Sequence, residues 1–155
     1  MRVNENLITW SSTYSVGIKI IDEQHKELFN VVNDMYNHDI NDEEAERAYF
    51  QDIIRQTVNY VKRHFATEEQ IMRAAKFQGY PEHKKAHDSF TLSLVDIIRD
   101  FEAGKKITLT FFTRFIKDWI LSHIAIMDKQ YFEYFIKNAA LKDSGNLGIA
   151  QEDIA

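Results

Sequence analysis

The sequence predicts an all-α protein, an up-down-up-down four-helix bundle with an N-terminal loop arm and a C-terminal tail. Three observations carry this. One proline and five glycines in 155 residues leave too little turn punctuation for a many-stranded β fold. Four segments of roughly 20–30 residues repeat apolar positions at the 3-4 spacing of an amphipathic helix. The stretches between them are short, which favours antiparallel neighbours. At 155 residues, 45% of them hydrophobic, the chain can bury the core of one domain.

The first helix is expected over about 18–38, after the loop-like run Trp10-Ser-Ser-Thr-Tyr14. Its seam is Ile18, Ile21, His25, Leu28, Val32 and Met35. The second, about 43–76, follows the polar stretch Asn37–Glu44 and reads Phe50, Ile54, Thr57, Val61, His64, Glu68, Ile71 and Ala75. The break Phe77-Gln-Gly-Tyr-Pro81 ends it, and Pro81 suits the first turn of the next helix. The third, about 81–103, aligns His83, His87, Phe90, Leu94, Ile97 and Phe101 and stops at Ala103-Gly104. The fourth, about 108–137, is read as one α-helix with Phe112, Ile116, Trp119, His123, Met127 and Tyr131 inward. The bundle domain is therefore 1–137. Residues 138–155 lose the pattern, contain Asp143-Ser-Gly-Asn146, and read as a mobile tail.

Bulk properties exclude several function classes. A formal net charge of −5 with no basic stripe argues against nucleic-acid binding. No apolar run approaches the roughly 18 residues needed to span a bilayer, so no membrane insertion is expected. The N-terminus lacks the apolar stretch of a secretory signal, and a cytoplasmic location follows as the expectation. The absence of cysteine excludes disulfides, iron–sulfur clusters and thiolate zinc sites.

All four seams are interrupted by the same kind of residue. His25, His64, Glu68, His83, His87 and His123 stand where the spacing aims at the bundle interior. Burying an unpartnered polar group costs about 2–7 kcal/mol. One core histidine can be satisfied by hydrogen bonding; five, with a glutamate, are hard to satisfy among themselves. Bound metal removes that difficulty. His64 with Glu68, and His83 with His87, are i,i+4 pairs that project from one helix face. Asp128 is less defined, because five residues after His123 amount to about 140° of rotation on an α-helix. A boundary aspartate and a ligand are both open for it. His38 lies about 220° around from His25 and reads as a surface histidine at a helix C-terminus. Glu69 turns off the seam, towards a supporting or solvated role.

With Asp128 counted, five imidazoles and two carboxylates are too many for one zinc and suit two octahedral ions. Two carboxylates and an oxo or hydroxo group, all bridging, would join the histidines in filling eleven of twelve positions. One position stays open for a small ligand. The chain has no Glu-x-x-His of the carboxylate-rich di-metal bundles and no His-Glu-x-x-His motif.

These residues resemble the hemerythrin family, in particular its bacterial single-domain branch. The motifs are Val16-Gly17-Ile18 with Asp22-x-Gln24-His25-Lys26-x-Leu28, His64-Phe65-x-x-Glu68-Glu69-x-x-Met72, Tyr80-Pro81, His83-x-x-x-His87, and Trp119-x-x-x-His123-Ile124-x-x-x-Asp128. Trp10 matches an N-terminal tryptophan usual in that branch, and the likeness covers about residues 7–137. The resemblance implies a non-haem di-iron protein with two Fe ions and a bridging oxo or hydroxo group. His83, His87 and His123 would hold one iron, His25 and His64 the other, with Glu68 and Asp128 bridging. It further implies reversible O2 binding as hydroperoxide at the open position, for transport or storage. NO, azide or other small anions are further candidate ligands. Ile21, Phe65, Trp119, Ile120 and Ile124 are the candidate lining of a dry O2 pocket. No catalytic residue is implied and an enzyme is not expected. The competing functions are an oxygen, nitric-oxide or redox sensor acting through a protein partner, a di-iron enzyme of peroxidase or nitric-oxide reductase type using Tyr60 or Tyr131, and a metal-free interaction bundle, which leaves the buried histidines unexplained.

Overall fold

The computed structural model describes residues 5–39, 42–130 and 133–134. Tyr131 and the tail expected over 138–155 lie outside the described residues. The order is a 3₁₀ turn at Ser12–Tyr14, α1 Lys19–Asn37, α2 Glu43–Ala74, α3 Tyr80–Glu102, α4 Leu109–Trp119, and a π-helical segment Ile120–Asp128 that continues α4. No strand occurs among the described residues. α1 packs on α2 and α4, and α2 packs on α3. None of the described helices is long and apolar enough to cross a membrane.

Local chemistry sets the helix ends. The Asp42 carboxylate accepts from the Ala45 N–H at 2.7 Å, and Glu43, Glu44 and Glu46 place negative charge at the positive end of α2. At the other end Lys76 takes φ 54° and the Phe77 N–H closes onto the Met72 carbonyl at 3.0 Å. Pro81 sits in the first turn of α3. Gly104, at φ 87°, ends α3 while the Lys105 N–H reaches the Asp100 carbonyl. Thr108 caps α4 through the Phe111 N–H.

The core falls into two apolar bodies with a polar layer between them. The larger holds Leu28, Val32, Phe50, Val61, Phe90, Leu94, Phe112 and Ile116 among others. The smaller holds Val16, Ile21, Ile71, Met72 and Ala75. On α1, His25 lies between Ile21 and Leu28; on α2, His64 and Glu68 lie between Val61 and Ile71. Water is thereby displaced on both sides of the polar layer. The N-terminal arm is tied to α1: Asn33 Oδ1 accepts from the Leu7 and Ile8 N–H groups, and Asn37 pairs with both backbone groups of Glu5.

The fourth helix departs from the α-helical seam expected for it. Ile116, Ile120, Ile124 and Asp128 are buried, four residues apart, whereas Trp119 and Met127 are only partly covered. A seam that advances by four outruns a 3.6-residue turn, and the chain accommodates it by widening to i→i+5 bonding. Ile18 also departs from its seam: it caps α1 in extended conformation and is only partly buried.

Candidate metal centre

Each bundle helix contributes to the polar layer. His25 comes from α1, His64 and Glu68 from α2, His83 and His87 from α3, and His123 and Asp128 from the π segment. All seven are at most 2% exposed, which rules out solvation as their means of satisfaction. Their donor atoms gather in two overlapping groups that could each hold a metal ion: His25, His64, Glu68 and Asp128, and Glu68, His83, His87 and His123.

Both carboxylates straddle the groups. Glu68 Oε1 lies 2.9 Å from His64 Nε2 and 3.2 Å from His25 Nε2. Its Oε2 lies 3.0 Å from His87 Nε2 and 3.4 Å from His83 Nε2. Asp128 does the same in the other sense, with Oδ2 3.0 Å from His25 Nε2 and Oδ1 2.9 Å from His83 Nε2 and 3.2 Å from His123 Nε2. Widening the turn by one residue stacks i over i+5, so the π segment brings Asp128 onto the face of His123. That turn is what α-helical spacing could not supply.

The donor set fits metal better than it fits itself. His25 Nε2 and His64 Nε2 stand 3.1 Å apart, and His87 Nε2 and His123 Nε2 stand 3.2 Å apart. His64 and His87 each direct Nδ1 to a protein oxygen, so their Nε2 lone pairs point inward at other nitrogens. Two donors at right angles, each about 2.1 Å from a shared ion, would be separated by about 3.0 Å. The fully buried Asp128 oxygens have no partner besides these imidazole nitrogens. Cations are the missing partners of such a layer.

Burial and the two carboxylates act on the imidazoles in opposite senses. Burial opposes charge on His25, but the Asp128 and Glu68 carboxylates outweigh it and hold its pKa at about 9. His123 is held at about 9 by the same balance of burial against Asp128 and Glu68. His83 is raised, burial again being outweighed by these carboxylates, whereas burial wins at His64 and lowers it. Burial would raise Glu68, yet His64, His123 and His25 hold it well below its ordinary value. Asp128 is likewise held low, against burial and the Glu68 charge, by His123 and His25.

Supporting residues orient the rings. Gln24 Oε1 accepts from His64 Nδ1 at 2.8 Å, and Gln24 Nε2 donates to Thr67 Oγ1 at 3.3 Å. Glu69 Oε2 accepts from His87 Nδ1 at 2.8 Å, the supporting one of the two roles its spacing left open. Sequence reasoning missed Gln24, although its place beside His25 in a buried turn was a usable signal. Tyr60 donates its hydroxyl to the Gln24 main-chain carbonyl at 2.5 Å, and burial raises its pKa well above 10. His38 takes no part: it caps α1, half-buried, and stacks on Tyr49 at 3.5 Å.

Among the expected lining residues, Phe65 stacks on His87 at 3.8 Å and touches Trp119. Ile120 and Ile124 are fully buried in the larger apolar body, and Ile21 belongs to the smaller one. Trp119 stacks on His123 at 4.4 Å and also walls a surface groove between α3 and α4.

A four-helix bundle with a buried layer of five histidines and two straddling carboxylates defines a class of helical metal-binding proteins built for a pair of ions. Comparison with known proteins narrows the class. The hemerythrin HHE cation binding domain matches residues 16–135. A bacteriohemerythrin of Methylococcus capsulatus is 29% identical over 126 residues, 81% of this chain and 94% of its own. A myohemerythrin of Sipunculus nudus is 30% identical over 122 residues, 79% of this chain and 88% of its own. A crystal structure of wild-type hemerythrin superposes with a TM-score of 0.73 at 28% identity, over 82% of this chain and 96% of that one. The chain belongs to the hemerythrin family.

Proposed function

We propose that this protein binds O2 reversibly at two irons held by the polar layer, as a carrier or store. The observation that carries the reading is the pair of carboxylates, Glu68 and Asp128, each presenting one oxygen to either group of imidazoles. His83, His87 and His123 would hold one iron and His25 and His64 the other, with Glu68, Asp128 and an oxo or hydroxo group between them. Iron held there would supply the reversible electron transfer that O2 binding requires.

The chain's own part is threefold. Its imidazoles and carboxylates bind and space the ions. Gln24 and Glu69 hold two of the rings with Nε2 inward. The apolar bodies on either side, Phe65, Ile120 and Ile124 among their members, keep water and anions from the site. Tyr60, the candidate redox group of an enzyme reading, has its hydroxyl committed to a backbone carbonyl, which favours a structural role.

A visible spectrum of the reduced protein before O2, after O2 and then under vacuum tests the reading. A band that appears with O2 and fades under vacuum is expected. Immediate conversion to a permanently oxidised form would overturn the carrier reading, and metal analysis giving mainly zinc would overturn the di-iron one.

A further inference from the structure

The two groups of donors differ in what stands behind their imidazoles. Behind His64 is an amide whose orientation is determined by its surroundings. Thr67 Oγ1 donates to the Arg63 carbonyl at 2.8 Å, so it offers Gln24 only lone pairs, and Gln24 must turn Nε2 towards it. Gln24 Oε1 is then the acceptor facing His64 Nδ1, which must carry the proton. The Tyr60 hydroxyl on the Gln24 carbonyl clamps the same residue from its backbone side. Gln24 is 3% exposed, so this network is fixed and dry.

Behind His87 is a carboxylate. Glu69 Oε2 accepts from His87 Nδ1 at 2.8 Å, with the Glu69 side chain 15% exposed and Lys84 Nζ no nearer than 3.9 Å to its other oxygen. An anionic acceptor draws the Nδ1 proton outward and makes the imidazole a stronger electron donor at Nε2; a neutral amide does so much less. Both rings are buried with Nε2 in the polar layer beside Glu68, although His87 stacks on Phe65 and His64 on Tyr60.

We propose that Gln24 and Glu69 grade the two metal positions, the carboxylate behind His87 making its metal the easier to oxidise and the amide behind His64 keeping its metal reduced. This rests on the ligand reading above. Gln24 and Glu69 are positioning residues: they act through the rings. The grading separates the two one-electron steps of the pair and stabilises the mixed-valent form between them.

Redox titration of the iron-loaded wild type, Gln24→Glu and Glu69→Gln is the test, with iron counted in each. Each substitution removes the difference between the acceptors behind His64 and His87. Each should lower the comproportionation constant of the mixed-valent form by about tenfold, equivalent to about 59 mV of separation. An unchanged or larger constant in variants holding two irons per chain would overturn the inference and leave the ligand reading standing. A wild type that holds fewer than two irons would overturn the ligand reading instead. Nitrogen-15 NMR of the metal-free chain is independent of loading. His64 should carry its proton on Nδ1 in the wild type and lose that preference in Gln24→Leu; a wild-type His64 protonated on Nε2 would also overturn the inference.

Discussion

His123 Nε2 lies 3.2 Å from Asp128 Oδ1 although five residues separate the two in sequence, because the backbone between them is π-helical. The wider turn restores to one face two side chains that an α-helix would place about 140° apart. Asp128→Ala should therefore reduce the metal content below two ions per chain. Ile126→Ala, at a 60% exposed position of the same segment, should leave it unchanged. Metal analysis of the purified variants decides, and equal metal content in both would remove Asp128 from the ligand set.

His87 and His38 offer a sharper contrast between identical residue types. His87→Ala removes a donor within 3.2 Å of both Glu68 and His123, and should cost the protein iron. His38→Ala removes only a ring stacked on Tyr49 and should keep the full complement. Full iron in His87→Ala would contradict the proposed set.

Acidity should govern both stability and metal uptake. His25 and His123 have folded pKa values of about 9 against an ordinary 6.5. They contribute stability that is complete below the unfolded value and lost as pH rises through about 9. Glu68 and Asp128 are depressed, so their contribution is present above the unfolded values and lost on acidification. Urea midpoints of the metal-free protein should accordingly fall between pH 6.5 and 9, and fall again well below pH 4. Metal loading near pH 7 should release protons from His25 and His123, measurable by calorimetry in buffers of different ionisation enthalpy. Uptake without proton release would show that these imidazoles are neutral beforehand.

Tyr60→Phe tests whether this tyrosine is structural or redox-active. Loss of its hydroxyl removes one bond to the Gln24 carbonyl, which lies within α1, and should cost about 0.5–1.5 kcal/mol in denaturant stability. Iron content and reversible O2 binding should persist. A variant of unchanged stability that has lost reversible O2 binding would assign Tyr60 to the chemistry instead.

Six of the seven buried side chains of the polar layer were legible in the sequence because they obey α-helical periodicity. His25, His64, Glu68, His83, His87 and His123 sit at 3-4 spacing among residues such as Leu28, Val61 and Phe90, and burial follows from that spacing alone. The residues that support them were less legible. Gln24 lies one position off the α1 seam, and its partners His64, Thr67 and Tyr60 are 36 to 43 residues away on α2. Glu69 finds His87 across 18 residues. Pairings of this kind depend on how two helices are rotated against each other, which periodicity within one helix does not specify.

The all-α class, the four seams and the conflict between buried histidines and an apolar core are all readable from residue spacing. The motifs of the sequence also pointed to the family. The turn geometry after Trp119 depends on packing between helices, because a π-helix gives up regular i→i+4 bonding and forms where packing compensates. Here that packing is the inward stack of Ile116, Ile120, Ile124 and Asp128, four residues apart against the other helices. A local reading of the sequence treats the segment as one more α-helix and leaves Asp128 at its edge. The assembled bundle turns it to the centre.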